Sequence, residues 1–218
     1  MKNIYLNIFK FNKNNLSKSV NILKKNSIIG LPTETVYGLA GNAYSKTSIK
    51  KIYKLKKRPS KNPLIIHYSN INKAKKDVIL NKDFFKLYKK FSPGPITFVL
   101  KKAKNCKIDS TALANLKTVA IRFPHHRVIR AILKKIDFPL AIPSANQSSG
   151  ISPVTAIDVA EEFNRKIKMI VDGGNSKIGI ESTVIDLTGK LKILRPGAIS
   201  PTEISKNLNK KITIIKKN

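Results

Sequence analysis

The chain has 218 residues, 41% of them hydrophobic, and its net charge is +31, from 43 Lys and Arg against 12 Asp and Glu. One cysteine excludes an internal disulfide, and there is neither a Cys/His cluster with zinc-site spacing nor an apolar run long enough to cross a membrane. We therefore expect a cytoplasmic globular protein with a sizeable core, whose charge would attract polyanions such as nucleotides or RNA.

The first third of the chain leads into an unusual polar stretch. Apolar spacing predicts a strand over residues 4–11, an amphipathic helix over 15–26 and a buried strand over 27–31. The stretch that follows, Pro-Thr-Glu-Thr-Val-Tyr over residues 32–37, offers three hydroxyl groups and one carboxylate. Open α/β sheets bind ligands at the carboxyl ends of strands, so this stretch is a candidate site. Gly38 and Gly41 would allow backbone angles that other residues resist.

The rest of the chain alternates between helices and strands. Ser45 is a predicted N-cap for a helix over residues 46–57, and Pro59 ends that helix. Further helices are expected over residues 83–91, 126–135, 155–163 and 201–208. Strands are expected over residues 63–68, 96–101, 118–123, 140–143, 169–172, 183–187, 192–195 and 212–215. Residues 102–116 show no clear period, which predicts a surface connection.

These elements predict one domain over residues 1–218. The fold class is α/β, with a twisted mixed parallel and antiparallel sheet flanked by helices. The mixed character follows from Thr188-Gly189, which lies between two apolar runs and predicts a hairpin. Neither a composition break nor an internal repeat divides the chain.

Common nucleotide and nucleophile motifs are absent from the sequence. It has no G-x-x-x-x-G-K-[ST] phosphate loop, no G-x-G-x-x-G dinucleotide fingerprint and no G-x-S-x-G nucleophile elbow. A protein of this sequence that uses ATP would bind it in a less common cradle.

Several predicted strands end in polar groups that together suit an anionic, phosphate-bearing ligand and a small zwitterion. Arg122 lies among apolar residues, where an unpaired charge is costly, so it should meet either a carboxylate ligand or an internal glutamate. Arginine binds carboxylate or phosphate through two N–H groups, whereas lysine acts as a point charge. The remaining polar groups are Thr33 to Thr35, Lys56 to Arg58 with Asn62 and His67, Ser144 with Asn146, Glu181 to Thr183, and Arg195.

Seven ordered motifs resemble the YrdC-like family of threonylcarbamoyl-AMP synthases. They are LPTETVYGL at residues 31–39, K-x-R at 56–58, PGPITFVL at 93–100, VAIRFP at 119–124, S-x-N at 144–146, STVID at 182–186 and LRPG at 194–197. The resemblance covers roughly residues 15–200. It implies the stand-alone catalytic domain of the family, since a longer relative adds a C-terminal domain for which this chain has no room.

The resemblance implies a two-stage reaction. L-Threonine and bicarbonate form N-carboxy-threonine, whose carboxylate attacks the α-phosphate of ATP and releases pyrophosphate. A downstream transferase complex would then move the threonylcarbamoyl group to the adenosine beside the anticodon of tRNA. Mg²⁺ would accompany ATP and be held mostly by phosphates and water, with no dedicated metal ligands from the protein.

The family's site residues can be carried over by position. Catalysis would fall to Lys56 and Arg58. The residues implied to bind threonine are Thr35, His67, Arg122 and Ser182. Those implied to bind ATP are Lys56, Arg58, Asn62, Thr118, Ser144, Asn146, Ser152 and Arg195. The Ile142-Pro143 pair before Ser144 departs from the Ala-Pro or Thr that relatives often have.

The high positive charge and the function both have alternative interpretations. Lys, Ile and Asn are all abundant, which is typical of AT-rich coding bias and would make the chain basic without any function. Lys56 and Arg58 would then be helix-end cations, favoured by the helix dipole. The alternative function is a double-stranded RNA or tRNA-binding module without catalysis. A carbamoyltransferase-type maturation protein would need additional Cys clusters, which the single Cys106 excludes.

Overall fold

A mixed β-sheet runs through the described part of the chain. The computed structural model describes residues 6–148, 150–163 and 166–215. Residues 4 and 5 of the first predicted strand lie outside them. The strands of the sheet are β1 (Ile8–Lys10), β2 (Ile29–Pro32), β3 (Tyr37–Asn42), β4 (Ile66–His67), β5 (Ile96–Lys101), β6 (Thr118–Arg122), β7 (Leu140–Ala141), β8 (Ile170–Asp172), β9 (Thr183–Asp186), β10 (Lys192–Arg195) and β11 (Thr213–Ile214).

The order of the strands confirms the predicted mixed sheet. They lie in the order β1-β8-β2-β3-β7-β4-β6-β5-β9-β10-β11. The parallel pairs are β1–β8, β2–β8, β4–β6, β5–β9 and β10–β11. The antiparallel pairs are β2–β3, β3–β7, β4–β7, β5–β6 and the predicted hairpin β9–β10.

Polar side chains define where the helices begin. Ser45 caps its helix as predicted, and Ser200 forms a capping box with Glu203 that satisfies the first free N–H groups. The helices are α1 (Lys13–Lys24), α2 (Lys46–Lys56), α3 (Ile71–Ala74), α4 (Lys82–Phe91), α5 (Arg127–Lys135), α6 (Ala156–Phe163) and α7 (Pro201–Leu208). Across the described residues, no helix combines the length and apolar composition that crossing a membrane requires.

The helices cover both faces of the sheet. α1 and α5 pack against Leu31 and Ala40, while α6 packs against Leu39 and Ile170. Leu39 and Ala40 are neighbours in β3, and successive strand residues point to opposite faces, so these two helix layers lie on opposite sides. A larger apolar cluster joins α2, α4 and α7 to the strands around β5 and β6.

The strand β3 was not expected, and its glycines have a different role from the predicted one. Neither Gly38 nor Gly41 has a positive φ angle. A Cβ atom at Gly38 would instead lie 2.3 Å from Ile142 Cγ2 and 2.9 Å from the Pro143 carbonyl oxygen. Glycine is therefore needed at position 38 because the segment before Ser144 crosses the strand closely.

Other differences from the sequence prediction concern short elements. β4 and β7 have two residues each, and α3 occupies a region where no helix was expected. Residues 102–116 do form an irregular connection, but it is not confined to the surface. Ile108, Ala112 and Leu113 are buried in the largest apolar cluster. Their burial arises from packing against distant strands, which local periodicity does not encode.

Candidate active site

The loop between β2 and β3 holds a tight cluster of hydroxyl groups. The Thr33 hydroxyl donates to the Val36 carbonyl at 2.7 Å and lies 2.8 Å from the Thr35 hydroxyl. Because Thr33 has already used its proton, Thr35 must be the donor in that second contact. The Thr35 hydroxyl is therefore left as an acceptor, and Arg122 Nη1 donates to it at 3.0 Å.

Arg122 lies at the carboxyl end of β6 and is 4% exposed. Its Nε donates to the Gly94 carbonyl, Nη1 to Thr35 and Nη2 to Glu34 Oε1 at 2.8 Å. Of the two partners expected from the sequence, the internal glutamate is therefore present. A guanidinium has five N–H groups, so Nη1 and Nη2 each keep one that no described residue accepts. Two such groups can bind one carboxylate.

Glu34 fixes Arg122 in place and is the internal glutamate that the sequence offered as one of two partners for this arginine. Its Oε2 accepts the backbone N–H of His125 at 3.0 Å, which links the loop to the start of α5. Burial alone would raise the pKa of Glu34, but the Arg122 charge and these hydrogen bonds outweigh burial and leave the pKa below its ordinary value. Glu34 is thus an ionised carboxylate that positions the arginine. The sequence signal for this role was the position of Glu34 between Thr33 and Thr35 in the polar motif.

His67 presents an unused acceptor in the same region. It lies in β4 beside β6, and its Nδ1 is 3.2 Å from the Ile65 carbonyl, which assigns the proton to Nδ1. Nε2 is buried and has no hydrogen-bond partner among the described residues. Burial, reinforced by the Arg122 charge, lowers the pKa of His67 to about 3. The imidazole is therefore neutral and can accept a proton donor of a ligand.

The buried neutral state of His67 predicts acid sensitivity. In the unfolded chain its pKa is ordinary, so between about pH 6 and pH 4 the unfolded state takes up the proton and the folded state does not. The free energy of unfolding should therefore decrease as the pH is lowered. His67 should contribute up to about 1.4 kcal/mol of this decrease per pH unit. Urea denaturation from pH 7 to pH 4 should show a shallower decline for His67→Gln. The matched control is His125→Gln, at an exposed histidine, and equal slopes for wild type and His67→Gln would contradict this assignment.

A second polar network joins the carboxyl end of β10 to the loop before β9. The Ser182 hydroxyl lies 2.7 Å from that of Thr97 and accepts from Arg195 Nη2 at 3.1 Å. Arg195 Nη1 forms an ion pair with Glu181, whose other oxygen lies 3.4 Å from the Ser152 hydroxyl. Thr97 is the cross-strand partner of Arg122. The two predicted groups, for threonine and for ATP, are therefore contiguous through Thr97 and Ser182.

Lys56, predicted to be catalytic, is directed at the protein itself. The side chain is almost fully buried, and its ammonium donates to the carbonyls of Ser144 and Asn146 and to Asn146 Oδ1. Burial, reinforced by repulsion from Arg58, lowers the pKa of Lys56 to about 8. The Asn146 amide nitrogen binds the Gly150 carbonyl at 2.6 Å. Lys56 thus positions the Ser144–Asn146 segment, and its predicted contact with ATP stays a prediction.

The remaining candidates lie at the edge of this assembly. Arg58 Nε donates to the Asn62 carbonyl at 3.0 Å and Nη2 to the Pro63 carbonyl at 2.9 Å. The Asn62 side chain itself is exposed. Thr118 begins β6, four residues before Arg122, and a strand of that length spans roughly 13 Å. The structure therefore brings together Thr35, His67, Arg122, Ser182 and Arg195, but places Thr118 at the far end of its strand.

The arrangement offers cations and hydroxyl groups in place of a nucleophile or a metal cage. The described residues contain no group of three His, Cys, Asp or Glu that could hold a metal ion. Glu181, the carboxylate beside Arg195, is already ion-paired. Such a donor set fits a magnesium ion that arrives on a substrate and is bound by phosphates and water. Chemically, the site can hold a carboxylate beside a phosphate chain.

Comparison with known proteins gives consistent matches. The family model Sua5_yciO_yrdC, described as telomere recombination, matches residues 21–197. A Pyrococcus abyssi protein named threonylcarbamoyl-AMP synthase is 41% identical over 84% of this chain and 54% of its own length. A Bacillus subtilis protein of the same name is 40% identical over 87% of this chain and 55% of its own length. The chain thus spans about half the length of these curated relatives.

A solved structure with the same fold has a bound amino acid. The crystal structure of P. abyssi Sua5 complexed with L-threonine matches with a TM-score of 0.91 and 36% sequence identity. The match covers 95% of this chain and 62% of that one.

Proposed function

The chain belongs to the Sua5/YciO/YrdC family, and from this premise we propose that it makes threonylcarbamoyl-AMP and pyrophosphate from L-threonine, bicarbonate and ATP. The observation that carries the proposal is Arg122, a buried arginine with two N–H groups left for a carboxylate, next to a second cationic network around Arg195. The relative crystallised with L-threonine supports the choice of amino acid.

The threonine pocket would work through complementary donors and acceptors. The free N–H groups of Arg122 bind the amino-acid carboxylate, while His67 Nε2 and the Thr35 hydroxyl accept from the amino or hydroxyl group. For the amine to attack bicarbonate it must be deprotonated. The ammonium group therefore first loses its proton to solvent, and attack of the free amine on bicarbonate then releases water and leaves N-carboxy-threonine. Holding both reactants in one pocket supplies most of the advantage for such a step.

The ATP side would neutralise charge without forming a covalent intermediate. The new carboxylate attacks the α-phosphorus of MgATP, the bond to the bridging oxygen of pyrophosphate breaks, and its electron pair leaves with pyrophosphate. Arg58 and Arg195 would stabilise the charge that moves onto the leaving group. Arg195 must then exchange Glu181 for phosphate, and Lys56 holds the Ser144–Asn146 segment against which the nucleotide rests.

We propose the cytoplasm as the compartment, since it supplies all three substrates, and a downstream transferase that acts on tRNA as the consumer of the product. The alternative, an RNA-binding module without catalysis, would require neither a buried arginine with free N–H donors nor a neutral buried histidine. RNA recognition relies on exposed basic and stacking groups.

The direct test is pyrophosphate release. We expect release from MgATP only when L-threonine and bicarbonate are both present, with threonylcarbamoyl-AMP identified by mass spectrometry. Valine, which has a methyl group in place of the threonine hydroxyl, should be a poor substrate, by roughly 10- to 100-fold or more, because it leaves buried polar groups unpaired.

The controls separate this reaction from general ATP hydrolysis. Removal of bicarbonate by degassing should stop release, and its addition should restore it. ATP cleavage that is independent of threonine, or that yields ADP and phosphate, would show the proposal to be wrong. Equal turnover of valine would leave the reaction class intact but contradict the pocket assignment.

A further inference from the structure

Thr97 is a buried side chain of β5 to which the proposed reaction gives no role. It pairs with Arg122 of β6 on one side and with Val184 of β9 on the other. Directly opposed residues of neighbouring strands point to the same face of a sheet, so Thr97 lies on the face from which Arg122 reaches the polar loop. The side chain has no solvent exposure. Thr97 therefore lies beside the candidate site without being one of its predicted members.

The hydroxyl of Thr97 has one hydrogen-bond partner within the described residues. This partner is the hydroxyl of Ser182, at 2.7 Å. Ser182 Oγ also accepts from Arg195 Nη2 at 3.1 Å, a contact in which the guanidinium can only be the donor. A hydroxyl group has one proton to donate and two lone pairs. Two arrangements satisfy this count, since either Thr97 donates to Ser182 or Ser182 donates to Thr97.

The proton that is left over distinguishes these two arrangements. If Ser182 donates, the Thr97 proton has no acceptor and lies between two strands, where an unpaired donor is costly. If Thr97 donates, both lone pairs of Ser182 are occupied and the free proton belongs to Ser182. That proton lies in the loop before β9, within the proposed threonine pocket, where an oxygen of the substrate can accept it. The second arrangement is therefore the one that leaves no buried donor unpaired once the site is filled.

The other side chains of the proposed threonine pocket do not supply this donor. Thr35 gives its proton to Thr33, and His67 presents an acceptor at Nε2. The free N–H groups of Arg122 bind the substrate carboxylate in the proposed binding mode. Among the four side chains of the pocket, Ser182 is thus the donor left for the oxygen of the threonine hydroxyl group.

We propose that Thr97 is a positioning residue that orients the Ser182 hydroxyl toward the hydroxyl oxygen of threonine and so contributes to the selection of threonine over valine. This inference rests on the proposed function. Valine has a methyl group at that place and would leave the Ser182 proton unpaired, which is how a site built to bind a hydroxyl group rejects the analogue without one. Without the Thr97 donor the Ser182 hydroxyl is free to rotate, and part of this selectivity is lost.

The test compares kcat/KM for L-threonine and L-valine, from pyrophosphate release at saturating MgATP and bicarbonate, in Thr97→Val and Thr97→Ser. Valine is β-branched and fits a strand, so Thr97→Val should fold, while Thr97→Ser keeps the hydroxyl. We expect Thr97→Val to lower kcat/KM for threonine by roughly 3- to 10-fold, as for one neutral hydrogen bond. The value for valine and KM for ATP should change by less than about twofold, and Thr97→Ser should keep the wild-type ratio of threonine to valine.

Two further variants show whether Thr97 acts through Ser182. In a Ser182→Ala background, Thr97→Val should change kcat/KM for threonine by less than about twofold, because the group that it orients is absent. The matched control is Ser19→Ala, which removes a buried hydroxyl that donates to the Asn15 carbonyl at 2.7 Å within α1. Urea denaturation should show a loss of stability for Ser19→Ala, but its ratio of threonine to valine should equal that of the wild type.

Three outcomes would contradict the inference. An unchanged ratio of threonine to valine in Thr97→Val, or an equal loss for both amino acids, would overturn it and leave the proposed function intact. A loss that persists in the Ser182→Ala background would also overturn it, since Thr97 would then act on the fold or on the substrate directly. A wild-type protein without threonine-dependent pyrophosphate release would overturn the proposed function and this inference with it.

Discussion

Replacement of Arg122 by Met is expected to lower kcat/KM for threonine by roughly 100- to 10,000-fold, because two charge-assisted hydrogen bonds to the substrate carboxylate are lost. The same change should lower the free energy of unfolding by about 3–5 kcal/mol, since it leaves the buried Glu34 carboxylate without its counter-ion. A single variant therefore mixes two effects, and loss of activity alone would be ambiguous.

The double variant Arg122→Met with Glu34→Gln separates these effects. With both charges removed, the pair becomes neutral, and most of the lost stability should return. Threonine turnover should stay low, because the carboxylate still has no arginine. Urea denaturation and initial-rate kinetics on the same preparations give both quantities. If turnover recovers together with stability, Arg122 supports the fold and does not bind threonine.

Glu34→Gln alone completes the comparison. The amide oxygen of the new side chain would still accept from Arg122, but less strongly than a carboxylate, so Arg122 would be held less firmly. KM for threonine should rise by roughly tenfold while KM for ATP stays nearly unchanged, which is the pattern expected of a residue that positions the arginine. An equal change in both constants would indicate a general disturbance of the loop.

Elements with strong local signals were predictable from the sequence. α2 combines apolar residues at helical spacing with Ser45 as its N-cap, and α7 combines Ser200, Pro201 and Glu203, so their limits follow from neighbouring residues. β3 could not be recognised in this way. Its sequence contains two glycines, and it is a strand because β2 and β7 pair with it on both sides. Pairing with distant segments overrides weak local preference.

The candidate site shows the same division. The types of residue in it were predictable, because strands that end in hydroxyl groups and arginines indicate an anionic ligand. Their partners were not, since the Arg122–Glu34 pair joins residues 88 positions apart and Lys56 reaches Asn146 across 90. Such contacts depend on how the sheet brings distant loops together. The sequence therefore indicated that Arg122 needs an anion but not which one, and it gave no sign that the Lys56 ammonium is buried.

Replacement of Arg58 by Ala is expected to lower kcat/KM for ATP by roughly 30- to 1000-fold, which corresponds to about 2–4 kcal/mol of transition-state stabilisation. The Asn62 and Pro63 carbonyls hold its guanidinium, which also interacts with the Tyr53 side chain. A group fixed in this way can meet a phosphate without reorganising. Arg58→Lys should recover little, because an ammonium cannot reproduce the planar fork.

Stability should change little in Arg58→Ala, by at most about 1 kcal/mol, since only two hydrogen bonds of a partly exposed side chain are lost. Arg130→Ala is the matched control, because Arg130 is also partly exposed and its side chain makes no hydrogen bond within the described residues. ATP binding by calorimetry and pyrophosphate release should be unchanged in Arg130→Ala and impaired in Arg58→Ala.

A protein that only binds RNA through diffuse charge would instead lose a similar small affinity for RNA in both variants, with ATP binding unaffected in either. Unchanged ATP affinity in Arg58→Ala would remove Arg58 from the proposed site and leave Arg195 as the arginine available to the phosphates.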